Sequence, residues 1–188
     1  MGGVVAFEMA QRLIKQGETV RLLGLIDSFA PAGSAGGEMV DQQSVLETFV
    51  EDIEGLSGTG MLISRDDLER TKGANELLAL VLGRLQALDL APAEFGLATL
   101  GKLYELYRTN LAALLQYEPR GYSGAITLFR TAASLDERDG DGTLGWSGVS
   151  NGGLEVHEVD GDHYSILSGP ASATIAALLS ERLGEMVF

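Results

Sequence analysis

The sequence predicts an α/β fold built on a mainly parallel sheet, and three observations carry that prediction. A helix-periodic segment runs into a nearly unbroken apolar run, Val20-Arg21-Leu22-Leu23-Gly24-Leu25-Ile26, as expected of a parallel strand covered on both faces. Two later strand candidates, GAITLFR (124–130) and LEVHEV (154–159), are separated by the polar loop ASLDERDGDGTLGW. A closing helical pattern follows Pro170. Strands that alternate with helices pair in parallel within one sheet.

Taken in order, the first element is a helix over residues 4–16, where Val5, Met9 and Leu13 recur at four-residue spacing with Ala6, Ala10 and Ile14 alongside. Gly17 is its C-terminal stop. The strand at 20–26 ends abruptly in Asp27-Ser28, and Pro31 follows. Residues 32–118 read differently. A Gly/Ala/Ser loop, APAGSAGGEMVDQQ, leads into helical patterns near 43–55, 66–71, 74–88 and 97–117. Pro92 and the glycines at 55, 58 and 60 break them. The stripe Leu103, Leu106, Tyr107, Leu111, Leu114 and Leu115 is read as packing. Between Gly36 and Asp89 stand 4 basic and 11 acidic residues, 4 − 11 = −7. The segment reads as an insertion rather than a second independent domain. After Pro119 the α/β pattern resumes, and the loop DGDHYSIL leads to Pro170, which suits the first turn of a helix. Ile175, Leu178, Leu179 and Leu183 line one side of that helix. The organisation expected is therefore 1–31, a helical insertion at 32–118, and 119–188.

Composition narrows the function classes. A chain of 188 residues is one large domain or a domain plus an insertion. A hydrophobic share of 45% supplies an ample core, and a domain this size buries roughly 70% of its extended-chain surface. No apolar run reaches the ~18 residues of a membrane span, and no basic, cleavable leader is read at the start. The sequence holds no cysteine, which rules out disulfides and cysteine-based metal sites and fits a cytoplasmic setting. Net charge is 13 − 27 = −14, which argues against non-specific nucleic-acid binding and favours solubility. The Gly-Gly-Val-Val start has neither a preceding strand nor the Lys-Ser/Thr pair of a phosphate loop.

In open parallel sheets, ligands sit beyond the carboxyl ends of the strands. Two residues are expected there: Asp27 after the first strand and His163 shortly after the third. An Asp and a His in that chain order invite a nucleophile upstream. Each also has a plain structural reading, since an Asp that ends a strand serves equally as a turn or cap residue. His157 is mid-strand and expected to face solvent. Asp162 is read as a loop or capping residue, because its neighbour's ring cannot easily fold back onto it. Tyr164 and Ser165 are read as packing or as starting the next helix. Nothing marks Ser28 as a nucleophile.

Four stretches in order, MGGVVAFEMAQRL, LLGLIDS, LYRTNLAALLQYEPRGYSGAITLFR and VDGDHYSIL, resemble the thioesterase domains that end non-ribosomal peptide and polyketide synthases. The resemblance covers nearly the whole chain, most weakly residues 32–90. It implies the C-terminal part of an α/β-hydrolase, with helices on both faces of the sheet and a helical lid at 32–118. In that family the nucleophile elbow reads Gly-x-Ser-x-Gly-Gly, and Met1-Gly2-Gly3 matches its last three positions. The serine would stand immediately before Met1 and is absent from this sequence, along with everything N-terminal to it. By resemblance His163 is the general base and later the acid, and Asp27 orients its imidazole. Gly2 and Gly3 allow the sharp elbow turn, and the backbone N–H of Met1 is one oxyanion donor. The implied substrate is an acyl or peptidyl chain on the phosphopantetheine arm of a carrier protein, released by water or an internal nucleophile. The lid helices would line an acyl channel or simply pack on the core, with PAGSAGG as the hinge.

Three further expectations follow. Asp27 and His163 should approach within hydrogen-bonding reach at the carboxyl edge of the sheet, near Met1. The chain alone should show no serine-dependent turnover. The 20–26 edge, which would pair with the serine-bearing strand, should make the chain self-associate or require the N-terminal half of the domain. A non-catalytic hydrolase-like module that binds an acyl chain or a partner protein is the alternative, and an incomplete sequence is a third reading.

Overall fold

The computed structural model describes residues 1–31, 41–135 and 141–185. Apart from Pro31, the PAGSAGG hinge lies outside the described residues, as does the middle of the 133–146 loop. The chain forms two compact units, one of Met1–Gly36 with Leu114–Phe188 and one of Gly37–Ala113.

The first unit is built on three parallel strands, β1 (Gly24–Ile26), β2 (Ile126–Thr131) and β3 (Leu154–Val159), in the order β1-β2-β3. Side-chain alternation sends Leu23, Leu25, Ile126 and Leu128 to one face, where α1 (Gly2–Lys15) adds Val4, Phe7 and Ala10. Ile26, Phe129 and Val159 go to the other face, against Ile175, Leu178 and Leu179 of α6 (Gly169–Glu185). Phe7 anchors the first layer, fully buried, its ring 5.0 Å from that of Trp146 and 5.6 Å from that of Tyr122. Tyr117 donates to Glu8 at 2.7 Å, which ties α1 to the chain after the helical unit. That hydroxyl, with Arg12 beside it, holds the Glu8 carboxyl below its usual range.

Three expectations need correction here. The strand at 20–26 is only three residues long. Its ladder starts where Thr127 N–H first reaches the Leu23 carbonyl, and β2 offers no earlier residue to pair with Val20–Leu22. The stripe Val5, Met9 and Leu13 is exposed rather than buried. This helix is apolar over two adjacent stripes, so spacing alone cannot choose between them; the aromatic bulk of Phe7 does. Leu183 is likewise exposed, beyond the last residue of α6 that meets the sheet.

The second unit is helical: α2 (Gln42–Ser57), α3 (Arg65–Arg70), α4 (Ala74–Ala87) and most of α5 (Leu97–Gln116). Asp41 caps α2, and Ser64 forms a capping box with Asp67 on α3. Asp67 is buried and pairs with Arg84 at 2.8 Å. The core gathers Phe49, Leu78, Val81, Leu100 and Tyr104. Of the α5 stripe, Tyr107 and Leu111 pack against this core, whereas Leu103 and Leu106 are exposed, so the buried line runs through Leu100 and Tyr104 instead. No helix among the described residues is long and apolar enough to cross a membrane.

Val5, Met9 and Leu13 expose an apolar stripe on α1, and β1 bonds a strand on one side only among the described residues. Light scattering of the isolated chain should therefore report species heavier than the monomer. Replacing the three stripe residues together by glutamine should move the distribution toward monomer. A monodisperse wild-type monomer would contradict this.

Candidate active site

Asp27 closes β1. Its N–H donates to the Phe129 carbonyl at 2.7 Å, extending the β1–β2 ladder by one bond. The backbone then turns into the left-handed region, φ 44. A non-glycine residue there costs about 1–2 kcal/mol. The turn has a consequence for hydrogen bonding. In this register β2 donates to β1 at every second residue, starting with Thr127 N–H on the Leu23 carbonyl, so Thr131 N–H would fall to the Asp27 carbonyl. The side chain takes its place: Asp27 Oδ1 accepts the Thr131 N–H at 3.1 Å. Oδ1 also accepts the Ser134 hydroxyl at 2.5 Å, a length typical of a charge-assisted bond. Oδ2 is left for His163, whose Nδ1 lies 2.8 Å away.

The Asp27 side chain is 1% exposed and that of His163 61%. The carboxylate is buried behind the ring, and the ring turns its other edge outward. No hydrogen bond to His163 Nε2 is found among the described residues. With Nδ1–H donating to Asp27, Nε2 is the ring's free lone pair, the arrangement a general base requires. The loop holding His163 is capped from within. Asp162 Oδ1 accepts from Tyr164 N–H, Ser165 N–H and the Ser165 hydroxyl at 3.0, 2.9 and 2.8 Å. The Ser165 hydroxyl and N–H pull the Asp162 carboxyl below its usual range. Asp162 thus caps the turn and leaves the His163 ring to Asp27. Tyr164 lies edge-on to that ring at 5.4 Å.

Gly3 meets the site through Ser28. A Cβ on Gly3 would run into the Ser28 Oγ and lie 2.5 Å from its Cβ. Gly3 is therefore what lets α1 approach the residue that follows the acid. Gly2 has open space around it. Met1 is the N-cap of α1, its carbonyl accepting from Val4 and Val5 N–H. Among the described residues no hydrogen bond links Met1 to Asp27 or His163. His157 departs from expectation. Its ring is half-buried, stacked 5.3 Å from Phe129, its cross-strand partner, and its Nε2 lies 3.2 Å from Glu155. The facing phenyl ring and the cover of α6 on this side of β3 keep it from solvent.

Sequence reasoning missed Thr131 and Ser134, which bond the Asp27 carboxylate, and Trp146, which bonds the residue after it. Trp146, the only tryptophan, donates its indole N–H to the Ser28 carbonyl at 2.5 Å. The Ala30 N–H adds a bond to the Leu144 carbonyl at 2.8 Å. A readable signal did exist for Thr131 and Ser134: a threonine ending a strand, with a serine three residues on, is a capping pattern. Among the described residues no group of three or more His, Asp or Glu side chains is placed to hold a metal ion.

The family model described as thioesterase domain matches residues 1–182. The chain belongs to the thioesterase domain family. Curated relatives of this thioesterase-domain chain include a non-reducing polyketide synthase of Cladonia metacorallifera, 29% identical over 98% of the chain and 9% of that protein. Malpibaldin synthetase of Mortierella alpina is 27% identical over 97% of the chain and 3% of its own length. Among solved structures, a four-domain nonribosomal peptide synthetase bound to AMP and glycine aligns over 96% of the chain and 14% of itself, with TM-score 0.82 at 24% identity. The thioesterase domain that cyclises the lipopeptide antibiotic surfactin aligns over 97% of the chain and 64% of itself, with TM-score 0.58 at 19% identity. The thioesterase-domain chain thus spans a tenth or less of these curated relatives and about two thirds of that solved domain. The fold is of the α/β-hydrolase type.

Gly3→Ala should lower stability by about 1–3 kcal/mol through overpacking against Ser28. Ser28→Gly in the same chain should recover much of that loss. Urea denaturation of the four variants of the cycle measures both effects. A Gly3→Ala midpoint equal to wild type would show that the two elements are not in contact.

Proposed function

We propose that this chain is the C-terminal part of a chain-releasing thioesterase domain of a peptide or polyketide synthase. In this reading the natural protein carries Gly-x-Ser immediately before Met1. The observation that carries it is the His163–Asp27 bond at the carboxyl end of β1, in a chain whose family hydrolyses thioesters. The serine Oγ attacks the carbonyl carbon of an acyl or peptidyl thioester on the phosphopantetheine arm of a carrier protein. His163 Nε2 takes the hydroxyl proton as the C–O bond forms, and Asp27 stabilises the imidazolium. The C–S bond breaks, the thiol leaves with the proton from His163, and an acyl-serine ester remains. Water, or a nucleophile within the chain, then gives its proton to His163 and attacks the ester. The serine recovers its proton as the acid or cyclic product departs. The backbone N–H of Met1 at the start of α1 faces the developing oxyanion. The helical segment at 32–118 is the lid over the acyl chain, and residues 1–31 and 119–188 carry the catalytic groups.

The test is thiol release from an acyl-N-acetylcysteamine thioester. A domain extended upstream through the serine should turn over, and His163→Ala should reduce kcat by about 10⁴–10⁶. The 188-residue chain without that serine should show no turnover sensitive to His163→Ala. Robust turnover by the short chain, abolished by that substitution, would sink the assignment of the nucleophile. An extended domain that releases no thiol would favour a non-catalytic binding module.

A further inference from the structure

Asp27 Oδ1, the oxygen that does not face His163, is occupied by Thr131 and Ser134. Thr131 is fully buried and Ser134 half-buried at the end of β2. Their hydroxyls lie 2.8 Å apart, and the Ser134 N–H reaches Thr131 Oγ1 at 3.2 Å. Proton counting fixes the direction of this chain. Each hydroxyl has one hydrogen to give. The Ser134 hydrogen goes to Asp27 Oδ1, since an ionised carboxylate can only accept. The Thr131 hydrogen must then go to Ser134 Oγ, and Thr131 Oγ1 accepts the Ser134 N–H. The relay is polarised toward the carboxylate and has no alternative ordering while Asp27 is charged.

We propose that Ser134, backed by Thr131, is a positioning residue for the reaction: it locks the Asp27 carboxylate in the rotamer that presents Oδ2, and only Oδ2, to His163. This rests on the thioesterase reading, in which His163 is the base. A carboxylate held by the Thr131 N–H alone can rotate about its Cβ–Cγ bond, exchanging its two oxygens and tilting away from the ring. A second bond to Oδ1 from a different direction removes that freedom. Donation from Nδ1–H to Asp27 Oδ2 is in turn what keeps the imidazole proton on Nδ1 and the Nε2 lone pair outward. Asp162, the neighbouring carboxylate, turns its Oδ1 to the Tyr164 and Ser165 donors as the cap of its own turn.

The experiment reads the imidazole directly and needs no turnover. The chain has two histidines, so ring ¹⁵N spectra resolve the tautomer of His163 once His157 is assigned. Wild type should hold neutral His163 as the Nδ1–H tautomer. Ser134→Ala should lower the Nδ1–H share at least about twofold, and Ser134→Thr should restore it. Ser134→Cys keeps the volume but offers a poor donor; it carries the same expectation and serves where the alanine variant unfolds. An unchanged Nδ1–H share in folded Ser134→Ala or Ser134→Cys would overturn the positioning role, as would failure of threonine to restore it. If the tautomer responds as stated while the extended domain hydrolyses no thioester, the thioesterase reading fails and the role of Ser134 toward His163 stands.

Discussion

One carboxylate organises this structure. Asp27 ends β1, and its two oxygens divide their work. Oδ1 replaces a backbone carbonyl in the β1–β2 ladder and receives the Ser134 hydroxyl, while Oδ2 receives the His163 ring. The same side chain therefore closes the sheet and opens the site. Its charge is buried at 1% exposure, which is tolerable only because three donors surround it. Removing any one donor leaves a buried acceptor short of a partner, at a cost of about 1–3 kcal/mol. Stability and the geometry of the candidate site are thereby coupled at a single residue.

The backbone at Asp27 is held as firmly as the side chain. Its positive φ is an unfavourable state that persists because neighbouring contacts leave no alternative. The Phe129 carbonyl fixes the residue's own N–H, the Trp146 indole fixes the carbonyl of Ser28, and the Leu144 carbonyl fixes the N–H of Ala30. Gly3 lets α1 close over Ser28 from the other side. The strain is thus paired with a layer of bonds from the 141–149 segment, a region whose polar sequence suggests only a loop. On the far side of the sheet, α6 packs against Phe129 and Val159 and anchors the strand end from which the His163 loop departs.

Much of this was legible from residues alone. The helical patterns after residue 41, the strand LEVHEV and the helix behind Pro170 all announce themselves by periodicity and by glycine and proline punctuation. The approach of Asp27 to His163 was legible by position, since one ends the first strand and the other follows the third by a few residues in a parallel sheet. The burial of α1 was not legible, because two apolar stripes lie side by side and only the fit of Phe7 between Tyr122 and Trp146 selects one. The length of β1 was not legible either, since it depends on where β2 begins a hundred residues later. Nor was the cover over His157, which comes from Phe129 across the sheet. Ser134 and Thr131 escaped for a related reason: their hydroxyls matter only through an aspartate more than a hundred positions away.

Membership in the thioesterase domain family accounts for the fold. The local geometry supports the further step, that Asp27 and His163 act on a substrate as one unit. The measurement that tests this most directly is a double-mutant cycle on kcat in the domain extended through the proposed upstream serine, using Asp27→Asn, His163→Ala and both together. If the pair works as one unit, Asp27→Asn alone costs about 10⁴, and adding it to His163→Ala costs less than about threefold more. Losses that simply multiply would mean that the two residues act independently, and would contradict the account built on their hydrogen bond.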